Sequence, residues 1–321
     1  MQLCRGTSTS VIRAVPRSLP TQNRTSLDLL RNRIFRRAII SCRTRDKMAS
    51  AMQEANRLKN AMEKGPSMGV WQMIPGSNVS RTLARTGVDW VLVDCEHGNI
   101  DDAAMHEAVP AIAACGVSPI VRIPDNQGFM VKRALDAGAH GVLVPLLYTV
   151  EDAKKLVLSS KFPPQGQRGF GSPFPMERFN HKLGSSEYLS QANDAILTMV
   201  QIETKEALNS VDEIAKVPGI DVLFVGPFDL GNNIGHPIID GKMHDDLHAA
   251  IAKVLKAANA AGKKAGIFCT SGEQAKQYAD DGFHMISVAT DMHVLPAGVL
   301  HSLSTAKGEG PGPKLSGPYG K

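Results

Sequence analysis

Residues 90–99 read WVLVDCEHGN: a strand-like apolar run ends in Asp94 and gives way at once to Glu96 and His97. The same punctuation recurs along the chain. Arg122 follows SPIV, Gln201 and Glu203 close ILTMVQIE, and Asp229 comes after VLFVGPF. An enzyme built on a ring of parallel strands carries its chemistry at the carboxyl ends of those strands, while the rest of each strand is packing. The pattern therefore predicts an enzyme on such a scaffold, with these strand-end residues as its chemistry.

Outward from Trp90, strand-like and helix-like patterns alternate. The candidate strands are Gly69–Ile74, Trp90–Asp94, Pro119–Ile123, Gly141–Leu146, Ile196–Glu203, Val222–Val225, Ala265–Cys269 and Met285–Ala289. Amphipathic stretches lie between most of them, among them MVKRALDAGA, VEDAKKLVLSS, KEALNSVDEIAKV and LHAAIAKVLKAANAAG, each closing near a glycine suited to a helix C-cap. Strands separated by helices imply right-handed parallel crossovers, and eight such units close into a (β/α)8 TIM barrel rather than an open sheet. Such a barrel takes about 250 residues, so the 321-residue chain accommodates one α/β domain with a tail at each end. The connection over 162–195 is longer than the rest and carries GQRGFGSPFPMERF, which reads as a lid or substrate loop.

An apolar share of 43% supplies a sizeable core. No apolar run reaches the ~18 residues of a membrane-spanning helix, so no membrane partner is expected. The cysteines Cys4, Cys42, Cys95, Cys115 and Cys269 show no paired spacing, which argues against a disulfide framework or a zinc knuckle. The formal charge of +5 is unevenly placed. Residues 1–47 hold ten arginines and Lys47 against Asp28 and Asp46, a local +9, which leaves the other 274 residues at −4. A mildly acidic body argues against a nucleic-acid partner. The leader is rich in Arg, Ser and Thr and poor in acids, and RTSLDLLRNRIFRRAII can form a basic amphipathic helix of the kind found in organelle transit peptides. The expected organisation is a leader over 1–47 addressing the chain to mitochondria, a barrel over 48–304 and a disordered tail over 305–321. An internal start at Met48 would give a cytoplasmic form instead.

Glu203 and Asp229 fall at the ends of the fifth and sixth candidate strands, neighbours in a barrel, so their carboxylates can converge on one hard cation. With no histidine or thiolate beside them, the pair favours Mg²⁺, Mn²⁺ or Co²⁺, with positions left for water or substrate; a helix cap or a salt bridge would use the same residues. Gln201, two residues before Glu203, shares its face of the strand. His97 has Asp94 and Glu96 near enough to orient it as a general base. Arg122 carries a permanent charge at the end of a core strand and needs an anionic partner, either Asp94 in a structural ion pair or an enolate or carboxylate of the substrate. Trp71, ending the first strand, is either a barrel plug or a hydrophobic wall of the site. His244 and His248 stand four apart on a largely polar helix and read as solvated. The glycines of Gln167–Pro173 lack the strand-to-helix setting of a dinucleotide fingerprint.

In this order, GVW, DWVLVDCEHGN, PIVRIP, ALDAGAHGVLVPLL, FPPQGQRGFG, VQIET and FVGPFDL closely resemble the HpcH/HpaI family of class II, metal-dependent pyruvate aldolases, over about Gly69 to Thr290. The resemblance implies a (β/α)8 barrel that assembles as a homo-oligomer, usually a hexamer with the last barrel helix exchanged between partners. It implies reversible cleavage of a 4-hydroxy-2-oxo acid, of the 2-keto-3-deoxy-L-rhamnonate or 2,4-dihydroxyhept-2-enedioate type. The products are pyruvate, or a related 2-oxo acid, and an aldehyde.

By the same resemblance Glu203 and Asp229 hold a divalent metal (Mg, Mn or Co), His97 is the catalytic base and Arg122 stabilises the enolate. Gln201, Gly226 and Trp71 fall to substrate binding, and the backbone amide of Phe228 to the pyruvate carboxylate. Asp136, in LDAGA, matches a residue credited with raising the basicity of the histidine, yet it falls at the far end of a helix that runs away from the active face. A contribution from a neighbouring subunit would reconcile the two. Phe228 stands where relatives often carry a small residue, Cys95 where glycine is common, and GSPFPMERF is unlike the bacterial enzymes. No lysine lies inside a candidate strand, so no Schiff base is expected; Lys263 and Lys264 precede the seventh. Two other readings are a CoA-ester lyase of the citrate lyase β-subunit or malyl-CoA type, which needs a basic groove, and a non-catalytic barrel scaffold, which has no need of the whole polar set.

Overall fold

A computed structural model describes residues 49–310; the expected leader and residues 311–321 of the expected tail lie outside them. Two short helices come first, α1 (Ala51–Ala55) and α2 (Arg57–Lys64). Ser50 caps α1 through a reciprocal pair of bonds with Gln53, and the buried Asn56 caps α2 by accepting from Lys59 N. The barrel follows: β1 (Ser67–Gln72), α3 (Ser77–Ala84), β2 (Trp90–Asp94), α4 (Asp102–Ala113), β3 (Ser118–Arg122), α5 (Gly128–Ala137), β4 (Gly141–Val144), α6 (Val150–Ser160) and α7 (Ser185–Ala195). Its second half is β5 (Leu197–Ile202), α8 (Lys205–Asn209), α9 (Val211–Ala215), β6 (Val222–Val225), α10 (Pro227–Asn233), α11 (Asp245–Ala260), β7 (Lys264–Ile267), α12 (Gly272–Asp280), β8 (Met285–Thr290) and α13 (Asp291–Ala306).

All eight strands run parallel, each beside its neighbours in sequence, and β8 pairs with β1 to close the ring. The expected (β/α)8 barrel is therefore what forms. Alternation along each strand divides the core in two. Val91 and Val93 pack toward the helices, whereas Trp90 and Leu92 fill the lumen with Trp71, Ile120, Leu143, Met199 and Phe224. Leu58 and Met62 of α2 join that inner cluster. Gly69 is required there by space: a Cβ would lie 2.0 Å from the indole of Trp90.

Three details differ from the sequence reading. KEALNSVDEIAKV breaks at Ser210 into α8 and α9. The glycine C-cap holds for α5, where Gly138 is left-handed at φ 99°, but α6 ends on an extended Lys161 whose ammonium donates to the carbonyls of Asn193 and Ile196. The long connection over 162–195 is no lid. It runs from a helix into a strand, which places it at the amino-terminal rim, opposite the face where a barrel carries its chemistry. There Phe179 stacks on His140 at 4.2 Å, and His140 Nε2 bonds the carbonyl of Arg178 at 3.0 Å, just before β4 begins.

Candidate active site

The register of β2 on β3 sets Asp94 opposite Arg122, and the two ion-pair in the lumen. Arg122 Nε donates to Asp94 Oδ1 at 2.9 Å and Nη2 to Oδ2 at 2.6 Å, a planar fork on a carboxylate. Burial alone would raise the Asp94 pKa. The hydrogen bonds and charge of Arg122, with the Trp71 indole and the His97 amide, outweigh it and hold the carboxyl below its ordinary value. Asp94 Oδ1 also accepts from the amides of Glu96 and His97, so the strand-end carboxylate folds the loop that presents both. Glu96 lies 3.0 Å from Arg122 Nη1 and 3.5 Å from His97 Nε2. The His97 ring is half exposed, and Asp101 caps α4 just beyond the loop.

The period of two along β5 puts Gln201 and Glu203 side by side, and Gln201 Nε2 donates to Glu203 Oε2 at 2.6 Å. Arg122 Nη1 reaches Gln201 Oε1 at 3.4 Å, which ties the two halves of the site together. Glu203 is 1% exposed, and burial pushes its pKa up to about 8; the charges of Asp229 and Glu96 add to this, against the Leu146 N–H and Arg122. Burial likewise raises the Glu96 pKa, with Asp94 and Asp229 adding and Arg122 and His97 opposing.

Asp229 is not at a strand end, as the sequence suggested: β6 stops at Val225, and Asp229 lies in the first turn of α10 with Pro227 and Phe228. Proline opening a helix is favoured because the first amides of a helix have no intrahelical acceptor. Glu203, Asp229, Gln201, Arg122, His97, Gly226 and Phe228 come together around one cavity of about 460 Å³ at the carboxyl-terminal mouth. Met73, Pro227 and Phe268 complete its lining. The sequence offered no signal for these three beyond their nearness to strand ends. It offered none for Leu146 either, whose amide holds Glu203 Oε1 at 2.8 Å.

Two expected site residues lie elsewhere. Trp71 is a lumen residue beneath the cavity: its indole donates to Asp94 Oδ2 at 3.0 Å, and its ring lies 4.9 Å from the Arg122 guanidinium. It supports the ion pair and does not line the cavity. Asp136, at the far end of α5, pairs with the buried Arg168 at 3.0 Å and does not line the cavity either. Lys264 opens β7 rather than preceding it, and its ammonium turns to the carbonyl of Met62 in α2, away from the mouth.

The donor set suits a divalent cation. A carboxylate pushed up to about 8 by burial beside two like charges is stabilised in its ionised form by a positive charge at the same point. The available donors are oxygens, which hard ions prefer.

A family model described as HpcH/HpaI aldolase/citrate lyase matches residues 68–297. The hydroxypyruvate/pyruvate aldolase of Rhizorhabdus wittichii is 35% identical over 254 residues, which cover 78% of this chain and 99% of that protein. The 4-hydroxy-2-oxo-heptane-1,7-dioate aldolase of Klebsiella pneumoniae is 35% identical over 244 residues, 76% of this chain and 91% of that protein. The crystal structure of an HpcH/HpaI aldolase/citrate lyase family protein from Burkholderia cenocepacia shares the fold with a TM-score of 0.70 at 34% identity, covering 79% of this chain and 98% of that one. The chain belongs to the HpcH/HpaI aldolase/citrate lyase family. It is a carbon–carbon lyase of the class II aldolase type, the type that works with a divalent metal.

Proposed function

We propose that the chain cleaves a 4-hydroxy-2-oxo acid reversibly between C3 and C4, releasing pyruvate or a related 2-oxo acid and an aldehyde. The observation that carries this is the convergence of His97, Arg122, Gln201, Glu203 and Asp229 on one cavity. Glu203 and Asp229 would hold Mg²⁺, Mn²⁺ or Co²⁺, which supplies Lewis-acid stabilisation of the charge that develops on the 2-oxo acid. Arg122, locked by Asp94, keeps a fixed positive charge at the same place and needs no reorganisation during the reaction. The imidazole of His97, restrained at the rim by Glu96, takes the C4 hydroxyl proton as the bond breaks. Gln201 and the Phe228 amide orient the 2-oxo acid, while Met73, Phe228 and Phe268 give the cavity an apolar wall on which the aldehyde half rests.

The test is pyruvate release over a panel of 4-hydroxy-2-oxo acids, including 2-keto-3-deoxy-L-rhamnonate and 2,4-dihydroxyhept-2-enedioate. Activity abolished by EDTA and restored by Mg²⁺, Mn²⁺ or Co²⁺ supports the reading. Cleavage that persists in Glu203→Ala after exhaustive chelation overturns it.

The assembly and address follow as parts of the same reading. Leu295, Val299 and Leu303 of α13 are exposed beside α3 and line an apolar groove, which supports a homo-oligomer, a hexamer by family resemblance, in which that face is covered. Among the described residues no helix is long and apolar enough to cross a membrane. The basic leader supports a mitochondrial form, with a cytoplasmic form from Met48 as the alternative. Size-exclusion chromatography with light scattering tests the first point, and the location of a C-terminally tagged chain the second.

A further inference from the structure

We propose that His236, His244 and Asp246 form a second cation site, outside the barrel mouth, for a borderline transition ion such as Zn²⁺, Ni²⁺ or Cu²⁺. His236 comes from the segment after α10, where its amide is fixed on the carbonyl of Gly231 at 2.8 Å. His244 is the N-cap of α11, and Asp246 lies in that helix's first turn. The two imidazoles stack at 4.1 Å with 10° between their planes, so one ring must turn about its Cβ–Cγ bond before both in-plane lone pairs meet at one ion. Both turn a ring nitrogen to one carboxylate oxygen: Asp246 Oδ2 is 2.9 Å from His236 Nε2 and 3.4 Å from His244 Nδ1.

The hydrogen bonding leaves acceptors that a cation can take over. His244 Nδ1 accepts the Asp246 amide at 3.2 Å, so it presents a lone pair. Asp246 Oδ2, 3.4 Å away, presents another. One cation can share both acceptors once the Asp246 amide and the His236 ring proton give way to it. A tetrahedral ion with bonds of about 2.0–2.2 Å holds its ligand atoms roughly 3.3 Å apart, and here the three candidate ligand atoms lie within 4.8 Å of one another. Binding takes the Nδ1 lone pair from the Asp246 amide, which then turns to water as first-turn amides commonly do. Two imidazoles and one carboxylate suit Zn²⁺, Ni²⁺ or Cu²⁺ and are a poor match for Mg²⁺, and water completes the coordination.

None of the three lines the catalytic cavity, so the site is independent of the mouth carboxylates. It spans the two ends of the segment that follows α10, the helix whose first turn carries Asp229. An ion there clasps that segment to α11.

Zn²⁺ stoichiometry and affinity, measured on the full chain by equilibrium dialysis, test the proposal. The expected result is one Zn²⁺ per chain in the Glu203→Gln/Asp229→Asn double variant, unaffected by millimolar Mg²⁺. Adding His236→Asn or His244→Asn should weaken it at least tenfold. Asn is itself a favoured N-cap, so His244→Asn removes the ligand while keeping the helix start. In the otherwise unaltered chain, His244→Asn should remove one of two bound Zn²⁺ ions, and Cu²⁺ at the surviving site of the double variant should show coupling to two imidazole nitrogens by electron paramagnetic resonance. Failure of the double variant to bind one Zn²⁺, or unchanged binding in both histidine variants, overturns it. A double variant that still binds two ions would count instead against Glu203 and Asp229 as the catalytic metal ligands.

Discussion

The amide of Leu146 donates to Glu203 Oε1 at 2.8 Å from a left-handed backbone, φ 49°, in a residue that lacks glycine's freedom. Strain of this kind costs about 1–3 kcal/mol and persists only where the surroundings impose it. The other carboxylate oxygen is held by Gln201 at 2.6 Å, so both oxygens of Glu203 are positioned by the chain itself. A metal ligand fixed in advance loses little freedom when the ion arrives.

Gly226→Ala tests that preorganisation. A Cβ at Gly226 would lie 2.1 Å from Glu203 Oε2 and 3.2 Å from Gln201 Nε2, which forces the carboxylate off its position. Metal affinity and kcat/KM should each fall by about 10–100-fold, with little change in Tm, because the displaced group borders a cavity. Metal titrations and steady-state kinetics on one preparation check this; unaltered metal affinity would show that Glu203 is not held as described.

Arg122→Lys separates charge from shape. Lysine keeps the charge but cannot reproduce the fork on Asp94, where the two side chains are 6% and 0% exposed. The expected result is a fall in kcat of about 10²-fold together with a Tm lowered by a few degrees, and little change in metal affinity. A stability loss with normal kcat would reduce the residue to the structural ion pair that the sequence left open.

Acid sensitivity is predicted at the opposite end of the barrel. Burial lowers the His140 pKa from its ordinary value of 6.5 to about 4. The unfolded chain therefore binds this proton more readily than the folded one. The contribution of neutral His140 is fully present above pH 6.5 and is lost as pH falls toward 4. The slope should approach about 1.4 kcal/mol per pH unit in that window. Urea unfolding at pH 7.5, 6.5 and 5.5 measures it, and His140→Gln should flatten the dependence between the last two.

The barrel was legible because its signal is repeated: eight apolar runs with helices between them and no room for another closure. The polar set was legible because each member sits where an apolar run ends, and Gln201 could be tied to Glu203 by strand period alone. Trp71, left open as barrel plug or site wall, is the plug, and the loop over 162–195 was misread, both for physical reasons. A tryptophan at a strand end looks the same whether it lines a cavity or supports the ion pair beneath it. The loop's glycines and aromatics suggested a lid, although its place between α6 and β5 already assigned it to the amino-terminal rim. The end of β6 at Val225 was legible, but Asp229 was read as belonging to that strand end because the helix that Pro227 opens is too short to show as a periodic pattern. The contacts of Leu146 and Asp136 are long-range and leave no local trace.

The leader provides the last test, because composition alone assigns it. All eight strands lie between Ser67 and Thr290, and the first described helix is capped by Ser50, with Met52 and Asn56 buried behind it. A chain beginning at Met48 retains every one of these elements and should be soluble, with the melting temperature and specific activity of the full chain. In cells, the full-length protein tagged at its C-terminus should enter mitochondria and be shortened, whereas the Met48 form should stay in the cytosol. Fractionation and the mass of the mature chain decide this. A full-length form that remains cytosolic and uncut would show that ten arginines before residue 48 are a tail rather than an address. Loss of folding in the Met48 form would show instead that the domain begins earlier than its first cap.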